Sequence, residues 1–420
     1  MKRVKQFFSI LLILGMLALP SGCNDQGSNS GNSDFNLETD MQYFYHKGIS
    51  NPPITKSEDG YYYVGDDGII IYVDKESLSA TPLCFEPNCL HNNPETCNAY
   101  FDIYDLLDAD YAVGGISTVI QYYKGKLYMV CQEYDHSNIE QKTYLLRCDK
   151  DGSNREKATE YFDKNFTQWL IHRGYFYYSD DKSVLRLPMT SLKSEPEAVF
   201  TLEKYQENSL TSFQHFYAYG DYIYFYAHEY DDVNGTNMYQ VSLNTNTLEA
   251  KKLISDGISV PVKTFYNNRC ILLKRDIKNN KAFYYSVSQD LSSSKEIFSE
   301  TGKNRDLTCD GKFFYLDNSN LAYTGNNIDF EQVITVYDLD FKEVDSFKLP
   351  QNKGSTFNYF SAQDNDYFLL ESRNADDEIM LVIADKSKIG SIKGNTIEYK
   401  ELCKLDWYEN SDNPYVSYAE

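Results

Sequence analysis

The sequence is short of positive charge, with 40 Lys and Arg against 62 Asp and Glu. An acidic surface repels polyanions, so this deficit argues against nucleic acid or an anionic lipid surface as a partner. A membrane-spanning helix is also missing. The apolar run Phe7–Leu19 is 13 residues long, below the roughly 20 that a span needs. Helical periodicity is almost absent, which argues against a helical body. No composition break marks a second domain, and no nucleophile, base and orienting group stand in a recognisable pattern, so the sequence specifies no reaction.

What is present is a repeat. Its clearest copy is Trp169 to Leu187, WLIHRGYFYYSDDKSVLRL, which reads as a short apolar strand, a tight turn at Arg173-Gly174, an aromatic strand and a third strand. Aligning copies on the first residue of the aromatic strand gives Tyr61, Leu127, Tyr175, Tyr222, Cys270, Phe313 and Tyr367, spaced by 66, 48, 47, 48, 43 and 54. Before these positions stand Asp59-Gly60, Gly125-Lys126, Arg173-Gly174, Gly220-Asp221, Asn267-Asn268, Asp310-Gly311 and Asn365-Asp366, and such pairs suit hairpin turns because Gly, Asn and Asp tolerate positive φ. The third strand tends to end in Asp, as at Asp74, Asp149, Asp338 and Asp385, while copies three to five carry Pro188, Ser242 and Ser288 there.

Short strands repeating at about 40 to 50 residues predict an all-β fold, a single β-propeller of antiparallel strands with seven blades, six or eight being the neighbouring counts. A blade has two apolar faces and buries neither alone, whereas a ring of blades buries them all. A β-solenoid usually has shorter repeats, and a β-sandwich needs no long period. Most of the 38 Tyr and 24 Phe are therefore expected in the core and between blades. Ring closure is expected to involve both termini, with Met41–His46 adding a strand and Thr396–Trp407 supplying an outer one.

Residues 1–22 read as a secretion signal, with Lys2, Arg3 and Lys5 ahead of the apolar run and Ser21-Gly22 before Cys23. Small residues directly before a cysteine resemble the lipobox of bacterial lipoproteins, with Pro20 where that pattern prefers Leu. The resemblance implies lipid on Cys23 and a place on the outer face of the cytoplasmic membrane. Losing the three basic residues of the signal takes the net charge from -22 to -25. Residues 23–40 are expected to be the lipidated cysteine and a flexible tether, since Asn24–Leu37 is polar and rich in Gly, Ser and Asn. The propeller is expected over 41–420, with an insertion at about 82–101.

That insertion, PLCFEPNCLHNNPETCNAYF, is the densest chemistry in the chain. Cys84, Cys89, His91 and Cys97 offer three thiolates and an imidazole, a permissible closed set for a structural zinc. Pro87 and Pro94 would turn the chain between them. The spacing differs from ordinary zinc knuckles, and the expected compartment permits disulfides, so a disulfide-stapled loop, a metal site and free thiols all stay open. Of the remaining cysteines, Cys148 and Cys270 fall in strand positions where a free thiol acts as a small hydrophobe. Asp149–Glu156 imitates the start of a calcium loop, but Gly152 is misplaced for one, and the stretch reads as a turn.

The leader, the polar tether, the cysteine stretch Pro82–Tyr100 and the aromatic hairpins together resemble a group of lipoproteins from anaerobic Gram-positive bacteria, whose bodies are similar to TolB-like and YWTD-like β-propellers of no assigned function. The resemblance implies a surface-tethered propeller and no reaction, and the chain is expected to be a monomer. Two function classes follow. One is a module that binds an extracellular protein or glycan, and the other is a carbohydrate-active enzyme, a glycosidase or lyase, with paired carboxylates in the funnel.

Overall fold

The computed structural model describes residues 35–42 and, apart from breaks such as 101–118, 318–331 and 351–358, residues 53–405. Seven antiparallel sheets of four consecutive strands form a ring, a seven-bladed β-propeller. The first blade holds β1 Ile54–Lys56, β2 Gly60–Val64, β3 Ile70–Asp74 and β4 Ala80–Pro82, and the second β5 Ile120–Tyr123, β6 Lys126–Asp135, β7 Glu140–Asp149 and β8 Glu156–Lys157. The third holds β9 Trp169–His172, β10 Tyr175–Ser179, β11 Ser183–Pro188 and β12 Glu197–Thr201, and the fourth β13 Phe213–Tyr219, β14 Tyr222–Asp231, β15 Gly235–Asn244 and β16 Ala250–Ile254. The fifth holds β17 Val262–Tyr266, β18 Arg269–Asp276, β19 Lys281–Ser288 and β20 Ser294–Thr301. The sixth holds β21 Asp306–Cys309, β22 Phe314–Asp317, β23 Val333–Tyr337 and β24 Glu343–Lys348, and the seventh β25 Tyr359–Gln363, β26 Tyr367–Arg373, β27 Ile379–Asp385 and β28 Tyr399–Lys404.

The second strand of every blade begins within one residue of its repeat position. Its side chains alternate between the two neighbouring blades, which is why it can be apolar throughout. In β2, Tyr61 and Tyr63 face the seventh blade while Tyr62 and Val64 face the second. In β10, Phe176 and Tyr178 face the second blade and Tyr177 faces the fourth. The same division holds for Cys270 and Leu272 against Ile271 and Leu273 in β18, and for Phe368 and Leu370 against Leu369 in β26. Cys148 and Cys270 are buried free thiols among these apolar side chains.

Apolar clusters join each blade to the next, and one more joins the seventh to the first through Leu369, Leu381 and Leu405 against Ile54, Tyr61, Tyr63 and Ile71. Among the described residues every sheet is built from four strands in sequence, and the seventh and first blades meet by packing and side-chain bonds between sheets. β28 is the outer strand expected from Thr396–Trp407. The strand expected at Met41–His46 does not form over its described part, since Met41 and Gln42 belong to no sheet, and residues 43–46 lie outside the described residues.

Five of the seven expected hairpin turns contain a residue at positive φ, and those at Asp59-Gly60 and Asn365-Asp366 contain none. Arg173-Gly174 (45° and 90°) and Asn267-Asn268 (44° and 57°) are left-handed at both positions, as a two-residue turn between twisted strands requires. In the second blade the turn is Lys124-Gly125, one residue earlier than the sequence suggested. The terminal Asp of the third strand caps the turn that follows: Asp74 Oδ1 accepts the Ser77 N–H (2.7 Å) and Asp385 Oδ1 that of Ser387 (2.7 Å). Where that Asp is missing, Asn244 and Asp290 two residues on do the same for Asn246 (2.9 Å) and Ser292 (3.1 Å). Asp149–Glu156 is likewise a turn, in which Asp151 Oδ1 accepts the Ser153 N–H (2.9 Å).

Candidate metal centre and central channel

Cys84 follows β4 by two residues. Glu86-Pro87-Asn88-Cys89 then makes a turn with the Cys89 N–H on the Glu86 carbonyl (3.4 Å), Pro in its second place and Asn88 left-handed in its third at φ 67°. This turn brings back Cys89, and His91 follows at φ 57°. Leu90 between them is 80 % exposed, because its two neighbours face inward. Pro94, with residues 92–96, lies outside the described residues. At Cys97 the chain returns to the first blade: the Ile70 N–H donates to the Ala99 carbonyl (2.9 Å) and Tyr100 bridges Ile69.

The structure thus brings together all four residues named from the sequence. One ligand atom from each of Cys84, Cys89, His91 and Cys97 lies within 4.8 Å of every other. His91 Nδ1 is 3.3 Å from Cys97 Sγ. The thiols are free, with no disulfide among them. Burial, together with the neighbouring thiols, pushes Cys97 up to about 12. Burial opposes ionisation of Cys84 as well, but backbone donors at Glu86 and Asn98 and the thiols of Cys89 and Cys97 outweigh it and hold that thiol below its ordinary value. Such a donor set could hold a metal ion.

The loop is held from both sides. Cys97, Ala99 and Tyr100 belong to the apolar cluster joining the first and seventh blades, and Cys84 and Cys89 pack against it. From the second blade, the Arg155 guanidinium donates to the carbonyls of Tyr100 (3.1 Å) and Asn98.

The first strands of successive blades approach one another, β1 to β5, β5 to β9 and β9 to β13, and so surround the middle of the ring. Residues 36–42 lie against them. The Lys124 N–H donates to the Glu38 carbonyl (2.9 Å) and the Arg173 N–H to that of Thr39 (2.7 Å). Asp40 pairs with the Arg173 guanidinium (3.2 Å), and the Ala218 N–H points at Met41 Sδ (3.2 Å). Gln42 accepts the Lys56 N–H (2.7 Å) and donates to the Lys56 carbonyl (2.6 Å), as an added strand would. Asp40, Met41 and Gln42 are buried. A small cavity beside Met41 and Gln42, bounded by Thr55, Gln121 and Tyr122, measures about 10 Å³, room for one water.

His172 stands at this contact. Its Nδ1 accepts the Met41 N–H (3.0 Å), so Nε2 carries the proton and donates to the Gly220 carbonyl (2.7 Å). Burial pulls the imidazole down to about 4, which keeps this neutral form. Two other described histidines, His215 and His228, lie near each other in the fourth blade and are held below their ordinary values by burial.

Sequence reasoning missed two buried ionic groups. Lys386, 3 % exposed, donates to Asp310 Oδ2 (2.9 Å), Gln363 Oε1 (2.7 Å) and the Asp364 carbonyl, and lies over the rings of Tyr315 and Phe368. Burial lowers its ammonium, opposed by Asp310. Asp364 accepts from Lys56 Nζ (2.9 Å) and the Tyr61 hydroxyl (2.5 Å) across the seam with the first blade. The available signal was the acid ahead of the aromatic strand, in Asp310-Gly311 and Asp364-Asn365-Asp366, which also reads as an ordinary turn.

No family model matches the chain, and no curated protein matches it. Among solved structures it is similar to dipeptidyl peptidase 4 of Porphyromonas gingivalis, at 11% identity over 86% of this chain and 60% of that one, with a TM-score of 0.46. It is also similar to prolyl endopeptidases (12% identity, 88% of this chain and 50% of that one, TM-score 0.49) and to a TolB from Agrobacterium tumefaciens (11% identity, 55% and 77%, TM-score 0.33). The chain spans 60% and 50% of the length of the first two. At such identities the likeness concerns the fold alone.

Proposed function

We propose that this protein is a lipid-anchored, extracytoplasmic binding module. Cys23 carries the lipid, the polar residues after it set the propeller off from the outer face of the cytoplasmic membrane, and the monomeric ring holds an extracellular protein or glycan on its loops. The reading of the leader rests on Lys2, Arg3, Lys5, the 13-residue apolar run and Ser21-Gly22-Cys23, all outside the described residues.

Binding is favoured over turnover by one observation, the seating of the chain's own residues 38–42 on the first to fourth blades. A glycosidase needs two carboxylates facing a substrate-sized space. Here the two acids that the chain brings onto the inner strands are already engaged, Asp40 on Arg173 and Glu38 on the Tyr122 hydroxyl (2.5 Å). Affinity electrophoresis in gels cast with individual bacterial and plant polysaccharides, followed by a reducing-end assay of the same gels, tests the choice. Retardation without new reducing ends supports a glycan-binding module, no retardation directs the search to a protein ligand, and new reducing ends overturn binding in favour of glycan cleavage by a glycosidase or a lyase.

A further inference from the structure

We propose that Cys84, Cys89, His91 and Cys97 hold a zinc ion that clasps the ring at the seam between its last and first blades. Three observations converge on it. The first is the donor set: three sulfurs and one imidazole nitrogen, mutually within 4.8 Å, close to the about 3.8 Å between sulfurs of a tetrahedral zinc with bonds of about 2.3 Å. Soft sulfur and imidazole ligands select zinc over calcium or magnesium. All four positions are filled by the protein, so the ion has no open site for a substrate and acts as a cross-link.

The second is arithmetic. A disulfide would use two of the three thiols and leave the third beside His91 without a role, whereas a metal uses all four groups. The third is position. The seam is the one place where the ring must join blades distant in sequence, and among the described residues no strand is exchanged across it. The loop between Cys84 and Cys97 is fastened to β3 at its far end through Ile70 and Ala99, packs into the seam cluster with Leu369, Leu381 and Leu405, and is gripped from the second blade by Arg155. A metal that draws Cys84, Cys89, His91 and Cys97 together stiffens the part of the first blade that the seventh packs on.

The test uses the full chain purified in detergent without reductant. Metal analysis should give about one zinc per chain, and cobalt exchange should give the visible bands of a tetrahedral thiolate site. His91→Ala should lose the metal, and His91→Cys, which restores four ligands, should keep it. Hydrogen exchange after stripping with a chelator should accelerate roughly tenfold or more in β2, β3, β26 and β27, with β14 and β18 on the far side of the ring unchanged. Three results would overturn the proposal: a metal-free chain with all three thiols open to alkylation, a metal-free chain with two of them oxidised, or a zinc-bound chain whose exchange on stripping rises uniformly or only within the loop.

Discussion

Replacing Asp364 by Asn tests whether the seam between the seventh and first blades is an ionic as well as an apolar joint. The carboxylate is 5 % exposed and accepts four bonds: the N–H groups of Asp366 and Tyr367 (both 2.9 Å) on Oδ1, and Lys56 Nζ (2.9 Å) and the Tyr61 hydroxyl (2.5 Å) on Oδ2. Asparagine can still accept from the backbone through its oxygen, but its amide N–H groups then meet the ammonium and the hydroxyl. Breaking a buried pair in this way costs about 3–5 kcal/mol. For a body of roughly 380 residues, whose unfolding entropy is about 0.8 kcal/mol per kelvin, Tm should fall by about 5 °C.

The pH dependence separates this cause from a packing defect. Burial alone would raise the Asp364 carboxyl, but Lys56, Tyr61 and the backbone donors hold it at about 2 against an ordinary 3.8. A depressed carboxyl contributes stability that is complete above the unfolded value and is lost as pH falls toward the folded one, a window from about pH 4 to pH 2 worth about 2 kcal/mol. The deficit of Asp364→Asn in chemical denaturation should therefore shrink by roughly 1 to 2 kcal/mol between pH 7 and pH 2.5. A deficit that is the same at both pH values, or a variant as stable as wild type at pH 7, would refute the ionic joint.

Three further outcomes are expected. Cys23→Ala should abolish incorporation of labelled fatty acid and release the protein to the medium, and equal labelling of wild type and variant would remove the lipid anchor. Met41→Ala should cost about 2–5 kcal/mol in chemical denaturation, because Met41 is 4 % exposed in the cluster of the third and fourth blades; a loss below 1 kcal/mol would mean that the segment only rests on the channel. His172, held at about 4 against 6.5, contributes stability that is complete above pH 6.5 and lost as pH falls toward 4, since its second proton would face the Met41 N–H. The fall in Tm over that window should be flatter in His172→Gln, and an unchanged slope would rule out His172 as its source.

The blades were legible because their determinants are local. A strand such as β2 carries its two-sided burial in five consecutive residues, and a turn such as Arg173-Gly174 carries its φ requirement in two. The cysteine cluster was legible as a set, since Cys84, Cys89, His91 and Cys97 stand close in sequence, but their convergence depends on a left-handed Asn88 and on the return of Ala99 to β3. Residues 36–40, read from the sequence as the end of the tether, were not legible as bonded to the blades, and Met41-Gln42 were legible only as part of a strand that they do not form. Asn-Leu-Glu-Thr-Asp-Met-Gln has no period, and its partners Arg173, His172 and Ala218 lie more than 130 residues away. The Lys386 group was hidden for the same reason, its Asp310 being 76 residues distant.

Closing a ring between blades that share no strand among the described residues concentrates demands on one seam. Six of the seven joins connect blades consecutive in sequence, so the chain itself limits how far they separate, and the loop-closure cost at each is small. The join of the seventh blade to the first encloses nearly the whole chain, and among the described residues it has no shared ladder of the kind strand exchange would add. It is there that several independent fastenings gather: Asp364 on Lys56 and Tyr61, the Tyr63 hydroxyl on Glu371, Lys75 against Asp366 at 3.3 Å, and Lys400 Nζ on the Leu78 carbonyl at 2.7 Å. The exposed pair Lys75–Asp366 adds little, being screened by water, so the seam rests on the buried Asp364, the apolar cluster and the cysteine loop. Because these three lie on the same join, removing any one should raise the opening of the first and seventh blades before that of the fourth and fifth, an order that hydrogen exchange resolves blade by blade.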